Sequence, residues 1–187
     1  ITFHEDYHGK THGALSFTRS ENFASGFHVG IPEKNVITIK PGKISELKEA
    51  IKTNKNSIAA MIIEPIQGQV LGIHPKGYLE EAINLCKANG ILTLIDEIKV
   101  GLGRTGKLFS FFENNIVPDI VTISKALGGG KRAIGAMVTS SKLSRKAYGR
   151  KKDSAIHSTT FGGLGESCAV AIEALKIISD KKFLEEV

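Results

Sequence analysis

Three short apolar runs punctuate the chain: Ile58-Ala59-Ala60-Met61-Ile62-Ile63, Ile91-Leu92-Thr93-Leu94-Ile95 and Ile120-Val121-Thr122-Ile123. Each is nearly continuous rather than alternating. That is the pattern of a parallel strand covered on both faces. Weaker strands are predicted at Val36-Ile37-Thr38-Ile39 and Gly135-Ala136-Met137-Val138. Between the runs the spacing turns helical. Ile44 to Lys52 carries Leu47 and Ile51. Tyr78 to Ala88 carries Leu79, Ile83 and Cys86, with Gly90 as its stop. Cys168 to Ile178 carries Ile172, Leu175 and Ile178. Strand and helix alternate about every thirty residues, which predicts an α/β fold with a largely parallel sheet. No internal repeat, low-complexity tract or linker interrupts the pattern, so one domain is expected.

The residues that follow each strand change the picture. Glu64-Pro65-Ile66-Gln67-Gly68 follows the first, Asp96-Glu97 the second and Ser124-Lys125 the third. In open α/β sheets the ligand crevice lies outside the carboxyl ends of the strands. A single charged residue there means little, because the chain is leaving the core. Two acids and a lysine, in consecutive units, make a candidate site.

Composition excludes some classes. The chain has 187 residues, is 41% hydrophobic and carries a net charge of +6. No apolar run approaches the roughly 18 residues of a membrane span. Two cysteines, Cys86 and Cys168, make no disulfide framework, so a reduced, cytoplasmic setting is the default. Part of the positive excess lies in Arg145-Lys146-Ala147-Tyr148-Gly149-Arg150-Lys151-Lys152. With Tyr148 as its one aromatic, that run reads as a solvated helix end and loop rather than a nucleic-acid surface. The chain opens on Ile1-Thr2-Phe3, as if within a strand, and closes in or just after a helix. It is expected to be a piece of a longer protein.

Two stretches imitate well-known motifs. Gly101-Leu102-Gly103-Arg104-Thr105-Gly106-Lys107-Leu108 fits G-x-G-x-x-G and falls one residue short of a P-loop. Five residues separate it from the preceding strand, and Leu108 offers no hydroxyl to a metal ion, so nucleotide binding is not expected. His4-Glu5-Asp6-Tyr7-His8 matches H-E-x-x-H. That zinc motif works only on a helix, and no amphipathic helix surrounds it. No Ser or Cys sits in a G-x-S-x-G elbow.

Taken together, five segments in order resemble the class III pyridoxal-phosphate-dependent aminotransferases. They are Tyr7-His8-Gly9-Lys10-Thr11, Glu64-Pro65-Ile66-Gln67-Gly68, Asp96 to Gly106, Pro118 to Gly130, and His157 to Gly163. The resemblance implies the large domain of fold-type-I enzymes, a three-layer α/β/α core with a mostly parallel sheet. It implies pyridoxal 5'-phosphate as cofactor, and amino transfer between an amine or amino acid and an oxo acid. Lys125 would form the Schiff base and move the proton, and Asp96 would hold the ring nitrogen protonated. Tyr7 would stack on one ring face and Ile98 lie on the other. His8, Glu64, Gln67 and Lys99 would complete the cofactor site. Thr160 would reach the phosphate in a neighbouring subunit, which implies a homodimer. The loop at 101–108 would be a shaped loop beside the cofactor, its glycines serving backbone geometry.

Departures from the family pattern are informative. Lys99 stands where Gln is usual, beside the cofactor's phenolic oxygen. Gln69 stands where many members carry a glutamate gate. Lys131-Arg132-Ala133-Ile134-Gly135 replaces a Pro-containing stretch, and Leu164-Gly165-Glu166 replaces Asn-Pro-Leu. The family's N-terminal phosphate-binding turn and its C-terminal small domain have no counterpart in these residues. Three rival readings stand beside amino transfer: another chemistry on the same cofactor (epimerisation, decarboxylation or elimination), a non-catalytic remnant, and an anion-binding protein that uses the basic run.

Overall fold

The structure is a computed structural model, and it describes residues 1–27, 30–114 and 116–187. The chain divides into two compact units. One comprises Ile1–Asp96 and Phe111–Pro118, the other Glu97–Ser110 and Asp119–Val187.

The first unit holds β1 (Thr2–Phe3), α1 (His12–Leu15), α2 (Glu21–Ala24), β2 (Thr38–Ile39), α3 (Ile44–Thr53), β3 (Ala60–Ile63), α4 (Tyr78–Ala88) and β4 (Leu92–Asp96). β1 and β2 pair in parallel, with Phe3 opposite Ile39. β3 and β4 pair in parallel, with Ile63 opposite Ile95. The Ile62 N–H donates to the Ile1 carbonyl at 2.9 Å and lays the chain start alongside β3. Along β3, buried Met61 and Ile63 alternate with half-buried positions, and β4 follows the same rhythm until Asp96. Continuous apolar runs predicted burial on both faces. One face is sealed and the other is partly covered.

α4 shows why this part of the chain is a helix. Gly77 enters it at φ 80°, and Tyr78, Leu79, Ala82, Ile83 and Cys86 recur on one buried stripe. Gly90, at φ 69°, ends it in the left-handed conformation that glycine adopts without a Cβ clash. α3 does the same with Leu47, Ala50 and Ile51. These two stripes, with Phe3, Met61, Ile63 and Ile95, form the core of this unit.

The second unit holds β5 (Ile120–Ile123), β6 (Ala136–Thr139), α5 (Ser141–Tyr148), α6 (Gly165–Ile178) and α7 (Lys181–Glu185). β5 and β6 pair antiparallel, Ile123 opposite Ala136. The residues between them contain only a 3-10 turn at Lys125–Gly128. Without a crossover helix, an antiparallel return is the favoured geometry. α5 is capped by the Ser140 hydroxyl, which accepts from the Leu143 N–H at 3.2 Å. It presents no buried residue, and Arg145, Lys146, Lys151 and Lys152 are exposed. That agrees with the basic run being a solvated helix end. Among the described residues no helix is long and apolar enough to cross a membrane.

Ile83 is wholly buried on α4. Ile83→Ala is expected to destabilise the chain by about 2–5 kcal/mol, read from urea unfolding followed by far-UV circular dichroism.

Candidate active site

The segment after β1 turns sharply, with Glu5 at φ 66°, and is not helical. The turn sends Asp6 and His8 inward and leaves His4 and Glu5 exposed. The H-e-x-x-H spacing therefore puts its two imidazoles in different environments. His8 finds two acids. Its Nδ1 lies 2.9 Å from Asp96 Oδ2, and its Nε2 lies 3.4 Å from Asp6 Oδ2. Asp6 is 0% exposed, Asp96 5% and Glu64 4%.

Gln67 closes this cluster. Its Nε2 donates to Asp6 Oδ1 at 2.9 Å and to the His4 carbonyl at 2.6 Å. Glu64, one residue past β3, accepts from the Tyr7 N–H at 2.8 Å and the Gly68 N–H at 3.1 Å. The His8 N–H donates to Thr18 Oγ1 at 3.1 Å, and that hydroxyl donates to the Gly9 carbonyl at 3.0 Å. Tyr7 stays half-buried, edge-on to Phe23 with ring centroids 5.1 Å apart. Of the residues expected at the site, Tyr7, His8, Glu64, Gln67 and Asp96 thus gather in one place.

The electrostatics follow from burial. Burial alone would push His8 down, but hydrogen bonding and charge from Asp6 and Asp96 overcome it and hold the imidazole at about 9. Burial pushes Glu64 up, against the pull of the Tyr7 N–H, and the negative charge of Asp6 adds to the rise, to about 7.

Lys125 lies in the second unit, on the first residue after Ser124 at the end of β5. Its φ of 46° puts a lysine in the left-handed region that β-carbon-bearing residues avoid. Ser124 Oγ donates to the Ile134 carbonyl at 2.7 Å and holds the strand end. Lys125 lines a cavity of 590 Å³ with Ser124, Arg132, Ile134, Phe161 and Leu164. Thr160 sits exposed in the turn that supplies Phe161, and Ile98 and Lys99 are half-buried. The two stretches that depart from the family pattern meet here, since Arg132 pairs with Glu166 at 3.2 Å.

The glycine-rich loop is organised around Glu97. That carboxylate is buried and accepts from Ser110 Oγ at 2.6 Å, and its carbonyl accepts from the Gly101 N–H at 2.8 Å. A Cβ at Gly101 would lie 2.8 Å from the Glu97 carbonyl oxygen. Leu102 N–H donates to the Leu108 carbonyl at 2.7 Å and closes the loop on itself. Gly103 at φ 91° packs against Ile178 and Leu184.

Sequence reasoning did not single out Asp6 or Thr18. Acids in a turn usually face water, so Asp6 carried no local signal. Its pairing depends on Gln67, which is distant in sequence.

Two predictions arise from this geometry. Gly101→Ala should cost about 1–3 kcal/mol through overpacking, measured as a lowered denaturation midpoint. The second concerns pH. His8 binds its proton more tightly folded than at the ordinary value of 6.5. Its stabilisation is complete below that value and is lost as pH rises towards about 9. Unfolding curves from pH 6.5 to 9 should fall in stability for the wild type, and His8→Gln should remove that component of the fall.

The chain matches the family model for class-III aminotransferases over residues 1–187. It is 39% identical over 186 residues to the ornithine aminotransferase of Bacillus cereus (strain 03BB102), covering 99% of this chain and 44% of that one. It is 40% identical to the ornithine aminotransferase of Geobacillus sp. (strain WCH70), with the same coverage. The structure superposes on the ornithine aminotransferase of Toxoplasma gondii with a TM-score of 0.88 at 31% identity, covering 99% of this chain and 42% of that one. That crystal structure has partial occupancy of PLP at its active site. The chain therefore spans less than half the length of these relatives. With the family model matched from end to end, the chain belongs to the class III aminotransferases, pyridoxal-phosphate-dependent enzymes of fold type I.

Proposed function

We propose that residues 1–187 are the cofactor-binding large-domain core of an aminotransferase that moves an amino group between an amine or amino acid and an oxo acid. The observation that carries this reading is the buried Asp96 carboxylate at the carboxyl end of β4, with the His8 imidazole 2.9 Å behind it. A carboxylate so placed suits a cationic ring nitrogen. The rest of the donor set fits pyridoxal phosphate as well. Lys125 offers a primary amine at a strand end, and Tyr7 offers a half-buried aromatic face. When bound, the cofactor supplies an aldehyde for an amine and a protonated ring that withdraws electrons from the substrate.

The chain's own residues supply the rest. Lys125 Nζ is the anchoring amine and then the proton carrier. Asp96 keeps the proton on the ring nitrogen, with His8 behind it. Tyr7 and Ile98 would offer the ring their aromatic and apolar faces, and Glu64 and Gln67 brace the acid cluster. Lys99, in the position that the family's Gln usually holds, would bring an amine towards the cofactor's phenolic oxygen and, as a cation, would favour its ionised form. Thr160, exposed in its turn, is assigned to the phosphate of a second subunit's cofactor in a homodimer. A cytoplasmic setting belongs to the same reading and suits the two thiols, Cys86 and Cys168. The relatives named above make the terminal amine of a basic amino acid the first donor to assay. Gln69 in place of the glutamate gate leaves the second substrate to be found by the same assay.

The test is to load the chain with pyridoxal phosphate, reduce with borohydride and map the pyridoxyl group by mass spectrometry. Label on Lys125, lost in Lys125→Ala, is the expected result. Amino transfer by the loaded enzyme should fall at least ~100-fold in that variant. Label on Lys99 alone would overturn the assignment.

A further inference from the structure

The buried group behind Asp96 contains a residue that the functional reading leaves without a task. Asp6 does not lie at a strand end, yet it is 0% exposed and its Oδ2 faces His8 Nε2. Resting on the reading of Asp96 as the acid that receives the ring nitrogen, we propose that Asp6 is a positioning residue of this site: its carboxylate keeps His8 doubly protonated and aligned on Asp96, and so moderates how strongly Asp96 holds the ring proton.

The argument begins with the imidazole. A neutral histidine has one donor nitrogen and one acceptor nitrogen. Here carboxylate oxygens face both, Asp96 Oδ2 at Nδ1 and Asp6 Oδ2 at Nε2. Either neutral tautomer would aim a lone pair at a buried carboxylate. Only the imidazolium answers both sides. The contact with Asp6 is long, at 3.4 Å, and neither Asp6 Oδ2 nor His8 Nε2 makes a hydrogen bond to any other group. Their attraction acts where little water screens it.

Asp6 is also held in place. Gln67 Nε2 takes its other oxygen at 2.9 Å, and the same nitrogen is pinned by the His4 carbonyl at 2.6 Å. Thr18 Oγ1 fixes the His8 backbone at 3.1 Å. The remaining titratable neighbours are Glu64, which feels the charges of Asp6, His8 and Asp96, and His74, which feels Asp6. Burial lowers His74, and its Nε2 lies 2.9 Å from the Glu64 carbonyl. The hydrogen bonds of Glu64 and His74 go to the Tyr7 and Gly68 N–H groups and to the Glu64 carbonyl, while the two aspartates face the two nitrogens of the His8 ring.

The consequence can be worked out for Asp6→Asn. The amide keeps the shape and can still accept from Gln67. Its NH2 would then face Nε2, which becomes an acceptor, and His8 settles as the neutral Nδ1–H tautomer with its bond to Asp96 intact. A positive charge next to Asp96 disappears together with a negative charge farther away. Asp96 then attracts a ring proton more strongly than in the wild type.

Nitrogen-15 NMR of the loaded full chain, labelled in histidine and in the cofactor ring nitrogen, reads both ends of this chain of events. His8→Gln assigns the signal. In the wild type both imidazole nitrogens should be protonated at pH 8, with a titration midpoint near 9. In Asp6→Asn the midpoint should drop towards the ordinary ~6.5, and the ring-nitrogen signal should move further to its protonated position. A neutral His8 in the wild type at pH 8 overturns the proposal even if no variant folds. So does an Asp6→Asn protein whose His8 or ring-nitrogen signal matches the wild type, because a merely structural acid would leave the ring signal unmoved. Borohydride mapping separates this from the cofactor reading. Label on Lys125 with a neutral His8 removes the role of Asp6 alone. Absence of label removes the cofactor site, and the proposal with it.

Discussion

Burying a carboxylate costs several kcal/mol unless a cation or N–H groups answer it, and the first unit buries three of them within one cluster. Asp6, Glu64 and Asp96 come from a turn, from the exit of β3 and from the end of β4. Each must be answered locally, and the answers determine the surrounding geometry. Glu64 needs the N–H groups of Tyr7 and Gly68, so the turn after β1 and the turn after β3 must lie together. Asp6 needs Gln67, which ties the same two turns a second time. His8 joins this pair of turns to β4 through Asp96. The parallel pairing of β3 with β4 and the placement of Ile1 beside β3 bring these chain exits to one end. The hydrophobic core beneath supplies the stability against which the cost of three buried acids is set.

Periodicity captured the scaffold well where burial imposes it. The range of α4 and that of β5 agree with the residues marked out by their apolar patterns. β3 begins at Ala60 rather than Ile58, because an apolar residue does not by itself acquire a strand partner. α6 begins at Gly165 rather than Cys168, since its first turn carries no apolar repeat to reveal it. The direction of β6 was not legible, for an apolar run is the same read either way. Short elements such as α1 and the 3-10 turn at Lys125–Gly128 lie below the length at which a period can be seen.

The site was legible in a different way. Motif resemblance named Tyr7, His8, Glu64, Gln67 and Asp96, and these do converge. Asp6 escaped because its meaning lies in pairings across the fold. The same distinction explains the departures at 131–135 and 164–166. Taken singly, each breaks a pattern. Together they place Arg132 against Glu166, an exposed ion pair worth about 0–1 kcal/mol.

Lys125 illustrates a tension between fold and chemistry. At φ 46° a residue without a Cβ would be more comfortable. A redesign guided by stability alone would choose glycine or asparagine there, and the protein would fold as well or better. It would also have no amine at the strand end. With the Schiff-base role proposed for Lys125, an effort to stabilise this chain would hold residue 125 constant and seek its gains elsewhere, because at this position the more comfortable backbone and the proposed amine call for different residues.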